Sequence, residues 1–230
     1  MKELDVFING ETMNLCIPTE EFSKESKWYS WFNSIKITKY LEHGMFPITP
    51  EDQMKFFLSQ KSEKLILIIS NKKEYMGTIS LQGINLVNKI CNVAIVLDSS
   101  VDRKMSRFIS LESIARITEH AFNVMGFKRI EAGQHVGLGA WQQRMELVGY
   151  KLEGLHINKF IKGHEVANAV SIACIYEDFL KIVNHRGCLW DSMKKMESRY
   201  KRLPEKRFVD TLSDYFKNER DDYYKQIYLL

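Results

Sequence analysis

Short apolar bursts fill the first hundred residues of the chain, and a helical rhythm follows them. VFING and MNLCI read as strand around a turn at Asn9-Gly10. KLILIIS, EYMGTISLQGIN and KICNVAIVLD are three longer runs rich in β-branched residues, with turns at Lys72-Lys73 and Val87-Asn88, and they predict an antiparallel meander. Ahead of them, SKWYSWFNSIKITKYLEHG predicts one helix from a Ser26 cap to a Gly44 stop. Pro47 and Thr49-Pro50 form a turn, and EDQMKFFLSQKSE reads as a second helix behind Thr49. Leu111, Ile114, Ile117, Ala121 and Val124 recur near helical spacing and predict a helix over 109–125, stopped by Gly126. FKRIEAGQH then reads as a strand and GLGAWQQRMELVGY as a helix ending at Gly149. Residues 151–180 read as a hairpin turning at Lys162-Gly163.

From about residue 184 the pattern becomes charged and aromatic, and Pro204 splits it into two amphipathic helices. The expected organisation is a domain over 1–183 and a helical extension over 184–230. Strands interspersed with helices in this order suit a mixed sheet covered on both faces. The extension would pack back on the domain, or offer a surface to a second copy or another protein.

Composition narrows the classes. A net charge of +4 with both signs interleaved along the chain argues against a nucleic-acid interface, which would show one dense basic face. The longest apolar runs, LILII and VAIVL, are far too short to span a bilayer. MKELDVFING has no long apolar segment, so no leader is expected. Cys16, Cys91, Cys174 and Cys188 are scattered without metal-ligand spacing, which fits reduced thiols, no metal and a cytoplasmic location.

The stretch from Asn92 to Gly126 carries the chemistry. NVAIVLD reads as a buried strand, SSVDRKMSRF as a basic loop, and a helix follows. A helix N-terminus flanked by cations suits a phosphate-bearing ligand, and a solvated basic turn before a core helix is the plainer alternative. With YMGTISL, ITEHAFNVMGFKRIEA and ELVGYKLEG in this order, the chain resembles the GNAT superfamily of acyl-CoA-dependent N-acyltransferases over about residues 5–180. The likeness is to the branch acting on amino sugars of bacterial surface glycans and on protein N-terminal amines.

The resemblance implies an α/β (α+β) fold with a mixed, mostly antiparallel sheet flanked by helices on both faces, plus the C-terminal helices. It also implies acetyl-CoA as acyl donor. Ile95, Val96 and Leu97 would meet the pantetheine arm through their backbone, and Arg103, Lys104, Met105, Ser106, Arg107 and Phe108 would form the diphosphate loop. Arg103 matches the family pattern and Ser106 is small. Phe108 replaces a glycine or alanine, so its ring would crowd the diphosphate, and the charges of Arg103, Lys104 and Arg107 would offset that.

The family's tyrosine acid has Met145 in its place, and the asparagine that opens the same helix has Leu138 or Gly139. His135, at the end of its strand, is the first candidate base, or a histidine tied to nearby backbone. Glu131 is the second, or a structural partner. Tyr40, His43 and Phe46 fall in the acceptor loop of the family. Glu112 is read as an acidic residue of the first helical turn, complementing the helix dipole.

The function implied is acetyl transfer from acetyl-CoA to a primary amine by direct attack in a ternary complex, with an amino-sugar nucleotide as preferred acceptor. The alternatives are a protein N-terminal amine acetyltransferase, or a non-catalytic binding or scaffold protein on a degenerate fold.

Overall fold

The computed structural model describes residues 2–98 and 103–230 and, for Arg103 and Lys104, the backbone alone. Strands β1 (Val6–Asn9) and β2 (Asn14–Cys16) pair across the Asn9-Gly10 turn. Helices α1 (Glu20–Glu25), α2 (Trp28–Asn33), α3 (Ile35–Thr38) and α4 (Pro50–Gln60) follow. The single helix expected over 26–44 is therefore broken. Ser34 is extended between α2 and α3. The Asn33 amide accepts from the Ile48 N–H at 2.8 Å and donates to its carbonyl at 2.7 Å. The Thr38 hydroxyl donates back to the Ser34 carbonyl at 3.0 Å. Side-chain bonds of this kind compete with the helical ladder. Helix α1, capped by Thr19, falls where the pattern predicted no element. Helix α4 begins as expected, with Thr49 and Asp52 capping one another.

The meander β3 (Leu65–Ser70), β4 (Tyr75–Asn85) and β5 (Ile90–Leu97) is antiparallel throughout. Then come α5 (Arg103–Asn123), β6 (Arg129–His135), α6 (Gly139–Glu146), β7 (Lys151–Lys162) and β8 (Glu165–Ile175). Helix α7 (Tyr176–Arg186) occupies residues partly read as strand, and Gly187, in the left-handed region, stops it. Helices α8 (Met193–Tyr200), α9 (Phe208–Tyr215) and α10 (Asp221–Tyr228) close the chain, with a π-helical turn at Phe216–Arg220.

The strands form one sheet in the order β1-β2-β3-β4-β5-β6-β8-β7. Only the β5–β6 pair is parallel, and α5 is its crossover. Helices α1, α2 and α4 cover one face around Phe22, Trp28, Trp31, Phe57, Ile66 and Ile68. The larger core lies on the other face, where α5 meets Met76, Ile79, Val93, Ile130 and Ile172. Leu189, Trp190 and Met196 belong to that same core. Helix α5 is thus enclosed all round, which is why its buried set includes Glu112, Ser113 and Thr118 as well as apolar residues.

Helix α5 starts six residues earlier than its apolar spacing predicted. Arg103–Phe108 form its opening turns, not a loop before it. No glycine or proline stands in RKMSRF to stop the helix, and Phe108, Leu111, Ala115 and Phe122 continue one buried face at helical spacing. Glu112 consequently sits mid-helix. Its carboxylate accepts from the Glu11 and Thr12 N–H groups and the Thr12 hydroxyl at 2.6–2.7 Å. It fastens the β1–β2 turn, and the first-turn role expected for it is corrected.

Candidate active site

Strands β5 and β6 pair at three positions only: Ile90 with Arg129, Cys91 with Ile130 and Asn92 with Glu131. Beyond them Val93–Leu97 stays bonded to β4 and Ala132–His135 to β8, so the sheet opens as a wedge. Backbone groups on the inner edges of the wedge lack a strand partner, which is the edge an extended ligand can pair with. Gly77 of β4 lies opposite Leu97, and a Cβ there would collide with the Val96 carbonyl. Glycine at that position lets the two strands approach where the wedge is deepest in contacts.

A continuous cleft passes through the wedge. Its mouth, about 630 Å³, is lined by Lys36, Ile95, Val96, Leu97, Ser106, Arg107, Ser110, Leu138, Trp141, Arg144 and Tyr200 among others. The throat, 220 Å³, lies between Asn92–Ile95 and Ala132–Gln134. On the opposite face it opens into a groove of 610 Å³ lined by Gln82, Asn92, Glu131, His135, His156, Lys159 and Phe160. A side cavity of 270 Å³ beside Trp28, Phe32, Ser80, Ala94 and Val96 adjoins it. Tyr40 lines the mouth, the throat and the groove alike.

The loop carrying Tyr40 is held in three ways. The Lys162 ammonium, at the tip of the β7–β8 hairpin, donates to the carbonyls of Thr38, Leu41 and His43 at 2.6, 3.1 and 2.6 Å. The Tyr40 ring stacks on His135 with centroids 4.6 Å apart. His43 packs against Phe32.

His135 is buried between Tyr40 and Phe160. Its Nδ1 accepts from the Gly137 N–H at 2.9 Å, which puts the proton of the neutral ring on Nε2. Nε2 lies 3.3 Å from a Glu165 carboxylate oxygen. Nδ1 is therefore engaged, whereas Nε2 is buried without a hydrogen-bond partner among the described residues. Glu131 faces the same groove at the last paired position before the wedge. Its carboxylate accepts from Arg129 Nε at 2.6 Å, and Arg129 also pairs with Glu153. Those pairings raise the pKa of Arg129, so its charge is fixed there.

Of the other expected site residues, Ile95, Val96, Leu97, Ser106 and Arg107 come together at the mouth. Met105 is partly exposed outside that lining, and Phe108 is buried, its ring edge-on to Tyr200. The crowding expected of Phe108 does not arise, because the ring turns into the core. The side chains of Arg103 and Lys104 lie outside what is described. Met145 is buried in the core, and the Tyr150 hydroxyl is spent on Thr118 at 2.8 Å.

The mouth suits an anionic ligand. Lys36, Arg107 and Arg144 line it, and among the described residues no carboxylate does. The Arg144 Nε is buried without a partner among the described residues. Acyl-CoA, with phosphates at one end and an extended arm at the other, fits both the cationic mouth and the unpaired strand edges.

Solved structures share this fold. A ribosomal L7/L12 α-N-protein acetyltransferase in complex with coenzyme A aligns with 76% of this chain and 99% of its own, at 17% identity and a TM-score of 0.64. The microcin C7 self-immunity acetyltransferase MccE, in complex with acetyl-CoA and AMP, aligns over 72% and 93%, at 20% identity and a TM-score of 0.61. A GCN5-related N-acetyltransferase from Brucella melitensis aligns over 83% and 87%, at 16% identity and a TM-score of 0.60. The fold is GNAT-like. No family model and no curated protein matches the chain.

Within this GNAT-like fold, Arg144 and Tyr200 are among the mouth residues that the sequence did not announce, with Lys36 and Ser110. Arg144 stands one turn after Trp141 on α6, a spacing that could have paired them. Tyr200 lies beyond the stretch where the sequence resembles the family, so no signal pointed to it. Among the described residues no group of three His, Cys, Asp or Glu side chains is placed to hold a metal ion. Among the same residues no helix is long and apolar enough to cross a membrane.

Proposed function

We propose that the chain is an acetyl-CoA-dependent N-acetyltransferase. The observation that carries this reading is the cleft through the sheet, cationic at one end, with unpaired strand edges in the middle and a polar groove beyond. The arm of acetyl-CoA would lie along Ile95–Leu97 and present its thioester at the throat. An amine entering from the groove would attack the carbonyl carbon, the C–S bond would break, and the thiolate would leave with a proton. Holding both reactants in one cleft supplies much of such a rate.

Glu131 and Tyr40 are the groups we assign to proton transfer. The Glu131 carboxylate sits where the groove meets the throat and would draw in the ammonium and receive its proton, directly or through water. Tyr40 borders both the cofactor end and the acceptor end, so its phenol takes over from the missing tyrosine of α6 as donor to the thiolate. His135, tied to the Gly137 N–H through Nδ1 and stacked on Tyr40, acts as a positioning residue that holds the Tyr40 ring.

As acceptor we propose an amino-sugar nucleotide. Lys159 and the histidines of the groove suit its phosphates, and Tyr40 and Phe160 offer faces for sugar and base. A second reading, a protein that binds acyl-CoA without turnover, draws on Met145 standing in the core where the family has its acid.

Calorimetry with acetyl-CoA and thiol release across amino-sugar nucleotides, polyamines and peptides separates these readings. Sub-millimolar binding and thiol release with an amino sugar are expected. Absence of binding would remove the enzyme reading, and binding without release from any amine would leave the second. Glu131→Gln and Tyr40→Phe should each lower kcat by about 10²–10⁴-fold with acetyl-CoA affinity kept. An unchanged kcat removes the residue concerned from the mechanism.

A further inference from the structure

Arg144 is a half-buried cation of the cleft. It sits near the end of α6, and its Nε is closed off from solvent without a partner among the described residues. Burial depresses its pKa first, the neighbouring Tyr200 opposes the change, and Arg107 across the mouth depresses it further. The Arg107 guanidinium lies 5.4 Å from the centroid of the Tyr200 ring. One tyrosine therefore stands beside both guanidiniums, and Lys36 lines the same mouth. Like charges drawn together in a half-buried space are costly unless an anion joins them, and among the described residues no carboxylate lines this one.

Tyr200 is placed there by the C-terminal segment. It ends α8, whose Met196 is buried in the main core and whose Arg199 is clamped by Asp191 at 2.6 and 2.7 Å. Further on, the Pro204 carbonyl accepts from Gln143 of α6 at 2.7 Å. The segment thus runs along α6 and forms the wall of the mouth facing the start of α5.

We propose that Arg144, oriented by Tyr200, binds a phosphate group of acyl-CoA, so that the C-terminal segment completes the cofactor site. This rests on the acyl-CoA reading above. A guanidinium fork matches phosphate oxygens two at a time, and Arg107 lies on the same tyrosine to share the charge. Recognition then comes from side chains on two walls, in a chain whose helix opens without the family's glycines.

The test is calorimetry on the full chain with CoA and with 3′-dephospho-CoA, for wild type, Arg144→Met, Arg144→Lys and Tyr200→Phe. Unliganded melting curves establish which variants are folded. Arg144→Met should weaken CoA binding about 10- to 100-fold, as expected for lost charged hydrogen bonds, and should flatten its salt dependence. Arg144→Lys keeps the charge, loses the fork and should fall in between, and Tyr200→Phe should weaken binding a few-fold. If the 3′-phosphate is the group held, wild type should bind dephospho-CoA as weakly as Arg144→Met does, and the mutation should cost that ligand nothing more. If the diphosphate is held, both ligands should lose equally. Any folded Arg144 variant with wild-type affinity and salt dependence overturns the assignment while leaving the acyl-CoA reading intact. A wild type that binds no CoA overturns both.

Discussion

Glu112 shows how one buried carboxylate joins distant parts of the chain. It accepts from Glu11, Thr12 and Arg116. Glu11 in turn accepts from the Trp190 indole at 2.9 Å and the Met193 N–H at 2.6 Å. Glu112→Ala strands two backbone donors and a guanidinium, and we expect it to cost about 3–5 kcal/mol. Urea unfolding measures this, and a midpoint within error of wild type would refute it. The role was not legible in the sequence, because an acidic residue near a helix start looks the same whether it serves the dipole or a turn a hundred positions away. Phe108 was misread for a related reason. A charge run with one aromatic does not say whether it is loop or helix, and here core packing against Tyr200 and the sheet settled it. Gly77 left a trace that the sequence reading did not use, since a glycine inside an apolar strand can mark a close backbone approach.

At the scale of elements, the strands followed their β-branched runs closely, because alternation and turn residues act locally. The helices before the sheet did not. The Ser30 and Thr38 hydroxyls bond back to the Lys27 and Ser34 carbonyls and Asn33 reaches out to Ile48, and apolar spacing carries no trace of that. The loop after α3 matters most, since it carries Tyr40 over the cleft, and its order depends on Lys162. Lys162→Met removes three charge-assisted bonds to its carbonyls. We expect KM for the amine to rise about 10-fold with CoA affinity unchanged, the effect of losing roughly 1.4 kcal/mol of positioning. Steady-state kinetics with both substrates varied would show it, and equal losses for both substrates would contradict a role confined to the acceptor side. The same cleft was only partly legible: the sequence marked its central strand, and not the wall supplied by α8.

For the whole molecule, the C-terminal segment is fastened by Leu189, Trp190 and Met196 in the main core and by hydrogen bonds to the carboxylates of Glu11 and Glu119. Among the described residues, ion pairs brace the segment and the rest of the chain each within itself. The Asp191 carboxyl is held far below the usual carboxylate range, chiefly by its bonds to Arg199. Asp178 is likewise lowered, chiefly by Lys151. A group whose pKa is lower in the folded state contributes fully above its unfolded value, near 3.9, and loses that contribution as pH falls towards the folded value. Stability should therefore hold from neutrality to about pH 5 and decline below about pH 4. Asp191→Asn should cost about 1–3 kcal/mol at pH 7 and make the acid decline shallower, as followed by urea unfolding across pH. An acid limb of unchanged slope would show that Asp191 does not carry it.

The three-pair seam between β5 and β6 has a mechanical meaning. It divides one sheet into a five-stranded half and a three-stranded half, which the shared core, the Tyr40–His135 stack and the Lys162 bonds hold together around the gap. A ligand seated in the wedge would act as a keystone, adding a strand-like bridge along the length that the two halves do not share.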